Sequence, residues 1–190
     1  MINILIDDLP TSIDGITINS DFRISILFEL LMQDYNFSDI EKVNQALILF
    51  YPEIDKISDC NKAIKDILWF YRCGKEENDK VDENKQEIEK NKQIYSYEFD
   101  AEYIYSAFME QYNIDLNSIE YLHWWKFKAL FNSLNENILF SKIMSYRAMD
   151  LSKIKDKAMK KQYKRLKELY KLPDMRSENE KENDFANALW

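Results

Sequence analysis

Only 2 glycines and 3 prolines occur among the 190 residues. Globular chains average about 7% glycine and 5% proline, so this chain has few positions that break a helix or favour a left-handed turn. A collagen-like chain and a glycine-rich sandwich or barrel are excluded on that ground. So are enzymes built on a nucleotide-binding glycine loop, because neither Gly15 nor Gly74 has a second glycine at phosphate-loop spacing. Hydrophobic residues make up 46% of the chain and aromatics 14%, enough to bury a sizeable core and to exclude wholesale disorder. The length fits one domain or two small ones. What remains is a mostly helical chain whose composition names no function.

The five breakers also punctuate the hydrophobic pattern. Ile2, Ile4 and Ile6 alternate with Asn3 and Leu5, which predicts a strand. Ile13 and Ile16-Thr17-Ile18 flank Asp14-Gly15, a hairpin-turn dipeptide, so a hairpin or three short strands are expected there. From Ser20, read as a cap, the period turns helical through Phe22, Ile26, Leu27, Leu30 and Leu31. Ser38-Asp39-Ile40-Glu41 is a capping box ahead of Ile40, Val43, Leu47, Phe50 and Tyr51, and Pro52 ends that helix. A third helix follows Ser58 and closes near Gly74. Twelve of the nineteen residues 75–93 are charged and only Val81 and Ile88 are apolar, so no buried face is available there. Beyond it, Asp100 reads as the cap of a helix through Tyr112. Asn117-Ser118-Ile119-Glu120 reads as the cap of another, running to Leu134; shorter and longer helices follow over about 137–149 and 152–171, before Pro173. The expected fold is mainly α, one or more helical bundles with a small N-terminal β-hairpin. Its expected parts are 1–74, a charged linker at 75–95, a helical region at 96–173 and a flexible acidic tail at 174–190.

The net charge of −8 is unevenly distributed. Residues 1–141 hold 13 Lys/Arg against 26 Asp/Glu, a balance of −13, whereas residues 142–176 hold 12 against 4, or +8. An acidic body with one basic segment is the result. Cys60 and Cys73 lie on one helical stretch, too far apart for a disulfide, and are expected as free thiols in a reducing compartment. The apolar run 2–6 is short and is followed by Asp7 and Asp8, so no signal peptide is expected. No run of about eighteen apolar residues predicts a membrane span.

His123 is the one histidine. It shares a helical face with Phe127, Leu130 and Leu134, which marks a structural core or interface residue. No catalytic motif accompanies it. Asp7 with Asp8, and Asp34 with Asp39, match no metal-loop spacing and read as turn and cap residues. No catalytic residue, metal or cofactor is therefore expected. Lys153, Lys157, Lys160, Lys164, Lys167 and Lys171 are spaced 4, 3, 4, 3, 4 and would align in a cationic ridge ~27 Å long on one helix. Met159, Tyr163, Leu166 and Tyr170 would form an apolar seam about 100° away. The ridge suits a solvated face, an acidic protein partner, or phosphates; the −13 of the body counts against nucleic acid, and no membrane role is expected. Trp124 and Trp125 point about 100° apart on a helix, so both rings cannot fill the same core site; structural packing of both is the favoured reading, and one of them partly exposed as a contact anchor is the alternative. The two tryptophans and the six lysines are the candidate partner-binding residues.

Five strings together resemble a known family. They are Asp8-Leu-Pro with Ile16-Thr-Ile-Asn-Ser-Asp-Phe-Arg23, then Phe99-Asp-Ala-Glu-Tyr-Ile-Tyr-Ser-Ala-Phe108 ahead of Ile114-Asp-Leu116. Next come Tyr121-Leu-His-Trp-Trp-Lys-Phe-Lys-Ala-Leu-Phe131, Ile143-Met-Ser-Tyr-Arg147 and Asp150-Leu-Ser-Lys-Ile-Lys155. The chain resembles the bacteriophage "gene product fifteen" family from about residue 5 to 173, with the His-Trp-Trp triplet the most specific part. The resemblance implies a tail-module protein of long-tailed phages and prophages of Gram-positive bacteria, working in the host cytoplasm during assembly. It further implies a tail assembly chaperone or adaptor that binds the tape-measure protein. Alternatives are a structural component of the virion tail and a nucleic-acid-binding protein. A homo-oligomer is compatible with any of these.

Overall fold

The computed structural model describes residues 2–75 and 93–174. Seven α-helices lie among them: α1 (Phe22–Gln33), α2 (Asp39–Phe50), α3 (Cys60–Tyr71), α4 (Ala101–Tyr112), α5 (Trp124–Asn132), α6 (Leu139–Ala148) and α7 (Lys157–Leu169). Short 3-10 turns occupy Ile54–Lys56 and Leu151–Lys153. Strands β1 (Ser12–Ile13) and β2 (Ile16–Thr17) pair antiparallel, Ser12 opposite Thr17 and Ile13 opposite Ile16. Asp14 and Gly15 join them with φ of 49° and 79°, the double left-handed geometry that a two-residue hairpin turn requires. The fold is mainly α with an N-terminal hairpin, as expected. The expected charged linker and acidic tail fall mostly on residues outside those described.

The strand expected over residues 2–6 is instead a turn. Asp7 accepts the Asn3 backbone N–H at 2.7 Å, the Asn3 side chain accepts that of Leu5, and the Asn3 carbonyl takes those of Ile6 and Asp7. Ile4, Leu5 and Ile6 are exposed. Local side-chain bonds satisfy the backbone here, and no neighbouring strand competes with them.

The starts of α1, α2 and α3 follow cap chemistry, shifted from the expected positions by one residue in two cases. Asp21, not Ser20, accepts the Arg23 N–H at the start of α1, and Asp59, not Ser58, accepts that of Lys62 at the start of α3. At α2 the Ser38–Glu41 capping box forms in full, and these bonds hold the Glu41 carboxyl below its usual range. A cap of this kind stabilises a helix by roughly 1 kcal/mol.

The stretches on either side of residues 76–92 meet in one core. Phe127 of α5 sits at the junction, stacked on Phe22 of α1 at 4.8 Å and on Phe108 of α4 at 5.0 Å. Below them, Phe28, Phe50 and Phe70 join α1, α2 and α3 edge to face. Fully burying each such ring stabilises the fold by roughly 1.5–3 kcal/mol, and paired rings add about 0.5–1.5 more.

A backbone exchange locks the two stretches together and moves the start of α5. Phe22 N–H donates to the Leu122 carbonyl at 2.9 Å, and Trp124 N–H to the Ser20 carbonyl at 2.8 Å. The Asp21 carboxylate takes the Leu122 N–H, and Asp21 bridges His123 in antiparallel fashion. Residues 121–123 are thus extended, and the helix expected from Asn117 begins only at Trp124. Asn117–Glu120 is no cap; Asp115 accepts the N–H groups of Asn117 and Ser118 in a tight turn. Arg23 then fixes that turn by donating to the Leu116 and Ile119 carbonyls at 3.0 and 2.7 Å.

Candidate partner-binding site

Both tryptophans are buried, Trp124 at 0% and Trp125 at 5% exposure, so the structural packing favoured for both holds and the alternative of an exposed contact anchor is corrected. The reason lies at the end of α3. The last carbonyls of a helix lack intrahelical partners, and those of Phe70 and Tyr71 accept the Trp125 and Trp124 indole N–H groups, each at 2.8 Å. The two carbonyls sit on successive residues, about 100° apart around the α3 axis, and the indoles that reach them sit on successive residues of α5. Trp124 stacks on Tyr71 at 5.3 Å, and the Lys128 amine lies 5.2 Å over its ring. Trp125 packs edge-on against Trp69. Gly74, at φ 74°, is required beneath it, since a Cβ there would come within 2.9 Å of the Trp125 ring. The pair joins α5 to α3 and offers no outer contact surface.

His123 caps α5. Its Nδ1 accepts the Trp125 N–H at 3.1 Å, so Nε2 carries the proton and donates to the Pro10 carbonyl, also at 3.1 Å. Both ring nitrogens are engaged in holding the hairpin segment to α5. Burial lowers the His123 pKa below 6.5, and Lys126 pushes the same way against the bond to Pro10. With the folded value depressed, the unfolded chain binds this proton first as the medium is acidified. The stabilisation is therefore complete above about pH 6.5 and is lost as pH falls below it toward the folded value. Urea unfolding at pH 7.5 and 5.5 should show wild type losing more stability than His123→Gln across that interval, by at most about 1.4 kcal/mol per pH unit.

An ion pair that sequence reasoning missed anchors the C-terminal helices. Asp100 stands at the cap position of α4, but its carboxylate does not cap. It takes Arg147 Nη1 at 2.6 Å and Nη2 at 2.9 Å, and accepts the Ser96 N–H at 2.9 Å. Arg147 also donates to the Ile94 carbonyl at 3.0 Å and, through Nε, to the Tyr170 carbonyl at 2.6 Å. Both side chains are buried. The signal in the sequence was Arg147 lying four residues after Ile143 and seven after Phe140, on the buried face of α6.

The lysine ridge is shorter than its spacing suggests. Asp156 accepts the Met159 N–H at 2.6 Å and starts α7 at Lys157, leaving Lys153 in the preceding 3-10 turn and Lys171 beyond the helix. Thirteen residues span about 20 Å, not ~27 Å. Lys157, Lys160 and Lys164 are exposed along it, whereas the half-buried Lys167 donates to the Met149 carbonyl at 2.7 Å. Tyr163 and Tyr170 pack on Tyr146 of α6. No residue of α7 is buried, and Met159 and Leu169 stay 51% and 67% exposed.

A second surface lies elsewhere. An open groove of about 740 Å³ runs between α1, α4 and α5, lined by Ile26, Ile104, Tyr105, Ser106, Leu116 and Phe127 among others. Among the described residues, no cluster of His, Cys, Asp or Glu suits a metal ion, and no helix is long and apolar enough to cross a membrane.

Residues 5–172 match the family described as Bacteriophage Gp15 protein. No curated protein and no solved structure matches the chain. The match runs through the hairpin, both sides of the shared core and α7, and takes in the Leu122-His-Trp-Trp segment that holds them together. The chain belongs to the Bacteriophage Gp15 protein family.

Proposed function

We propose that this phage protein is a non-enzymatic tail assembly chaperone or adaptor whose partner is the tape-measure protein. The observation that supports this most directly is the groove between α1, α4 and α5, which is apolar, open and wide enough for side chains of a helical partner. A long helical protein with exposed apolar positions needs such grooves to cover it until assembly. The tryptophans serve this role only indirectly, by fixing α5 and hence the Phe127 wall of the groove.

Co-expression with the tape-measure protein of the same phage, followed by pull-down, is the test. Ser106→Arg places a long cation in the groove at an exposed helical position, and should weaken capture at least about tenfold while leaving the fold intact. A chaperone leaves before the particle is complete. Finding the chain in stoichiometric amounts in purified virions would replace this reading with that of a structural tail component.

A further inference from the structure

The apolar face of α2 begins in the core and ends in solvent. Leu47 and Phe50 are buried, but Val43 is 39% and Ile40 75% exposed on the same stripe. The end of α1 and the loop after it bring Met32, Tyr35 and Phe37, all exposed, to the same end of the helical hairpin. That tip is firmly built. Lys42 donates to the Met32 carbonyl at 2.9 Å, Asp34 accepts the Asn36 N–H at 2.8 Å, and the capping box closes the start of α2. Its backbone is held by these bonds, and from it Met32, Tyr35, Phe37 and Ile40 face outward among polar neighbours. Exposed apolar clusters on ordered elements mark interaction sites.

The tip is also acidic. Residues 32–43 hold 3 Asp/Glu against 1 Lys, a balance of −2, while residues 157–171 hold 7 Lys/Arg against 1 Glu, or +6. The exposed Met159 and Leu169 give α7 apolar contacts beside its charge. Within one copy these two complementary surfaces do not cover each other, since both remain open.

We infer that α7 of one copy docks on the α1–α2 tip of a second copy, the lysines facing Asp34, Asp39 and Glu41. The contact joins two different surfaces, so it is heterologous and either closes a ring or extends head to tail. This inference is independent of the groove and of any tape-measure partner.

Sedimentation of the full-length chain over a concentration series tests it. Association is expected at about 50 mM salt, and raising salt to about 500 mM should weaken it at least tenfold, because exposed charges are screened over a few ångströms there. Lys160→Glu/Lys164→Glu, which disables α7, and Ile40→Lys, which disables the tip, should each be monomeric with unchanged helical circular dichroism. Mixed together, they should form a 1:1 complex that grows no further, since one competent surface survives on each. A wild-type monomer at every concentration and salt overturns the inference and leaves the tip to a different partner. So does association that both variants retain, or a mixture that stays monomeric.

Discussion

Asp100→Ala should destabilise the protein by about 3–5 kcal/mol, the loss seen when one partner of a buried ion pair is removed and the other charge stays behind. A domain of ordinary stability has about 5–15 kcal/mol in total, so this single change approaches the limit of what the fold tolerates. The guanidinium left behind is buried and keeps only its carbonyl partners, Ile94 and Tyr170. The Ser96 N–H loses its acceptor as well. Asp100→Ala/Arg147→Met removes both charges, and should recover part of the loss because no uncompensated charge remains. It should not recover all of it. The Tyr170 carbonyl, by which Arg147 ties the end of α7 to α6, is then free. Urea midpoints of the three proteins check the order: wild type highest, the double variant next, Asp100→Ala lowest. Equal midpoints for the single and double variants would remove the ion pair as the cause.

Trp124→Ala separates a structural tryptophan from a recognition residue. The side chain is fully buried, stacks on Tyr71 and Phe127, and donates to the Tyr71 carbonyl. Truncating it leaves a large cavity, which costs about 3–5 kcal/mol, and strands a carbonyl at the end of α3. For a chain of this size the melting temperature should fall by about 10 °C. A contact anchor would behave in the opposite way, with melting unchanged and partner capture lost. Thermal unfolding read by circular dichroism distinguishes the two outcomes directly.

The elements that could be read from sequence were those whose signals are local. The Ser38–Glu41 box and the Asp14-Gly15 turn each satisfy their own backbone within four residues, so nothing distant alters them. The α5 start is not legible locally, for the opposite reason. Asn117 to Glu120 has the letters of a cap, but Leu122 and Trp124 spend their backbone groups on Ser20, Asp21 and Phe22, about a hundred positions away. Asp100 follows the same logic. It occupies a cap position, yet its carboxylate is claimed by an arginine 47 residues later. The two tryptophans were placed by counting degrees around one helix, which says how their rings diverge and nothing about what stands on either side. The cationic segment was legible as charge; its length was not, because Asp156 begins a new helix in the middle of it.

By itself, the sequence determined a mainly helical chain with breaks at its few glycines and prolines, an N-terminal hairpin, an acidic body with one basic helix, and, through the strings around His123-Trp124-Trp125, its phage family. Tertiary structure alone decided which polar groups are spent inside the fold and which surfaces stay open. It turned both tryptophans, His123, Asp100 and Arg147 inward, and left the α1–α2 tip, α7 and the groove beside Phe127 facing out. The physical reason is that backbone periodicity acts over a few residues. Burial depends on which element arrives from far along the chain to accept a carbonyl, a carboxylate or a ring.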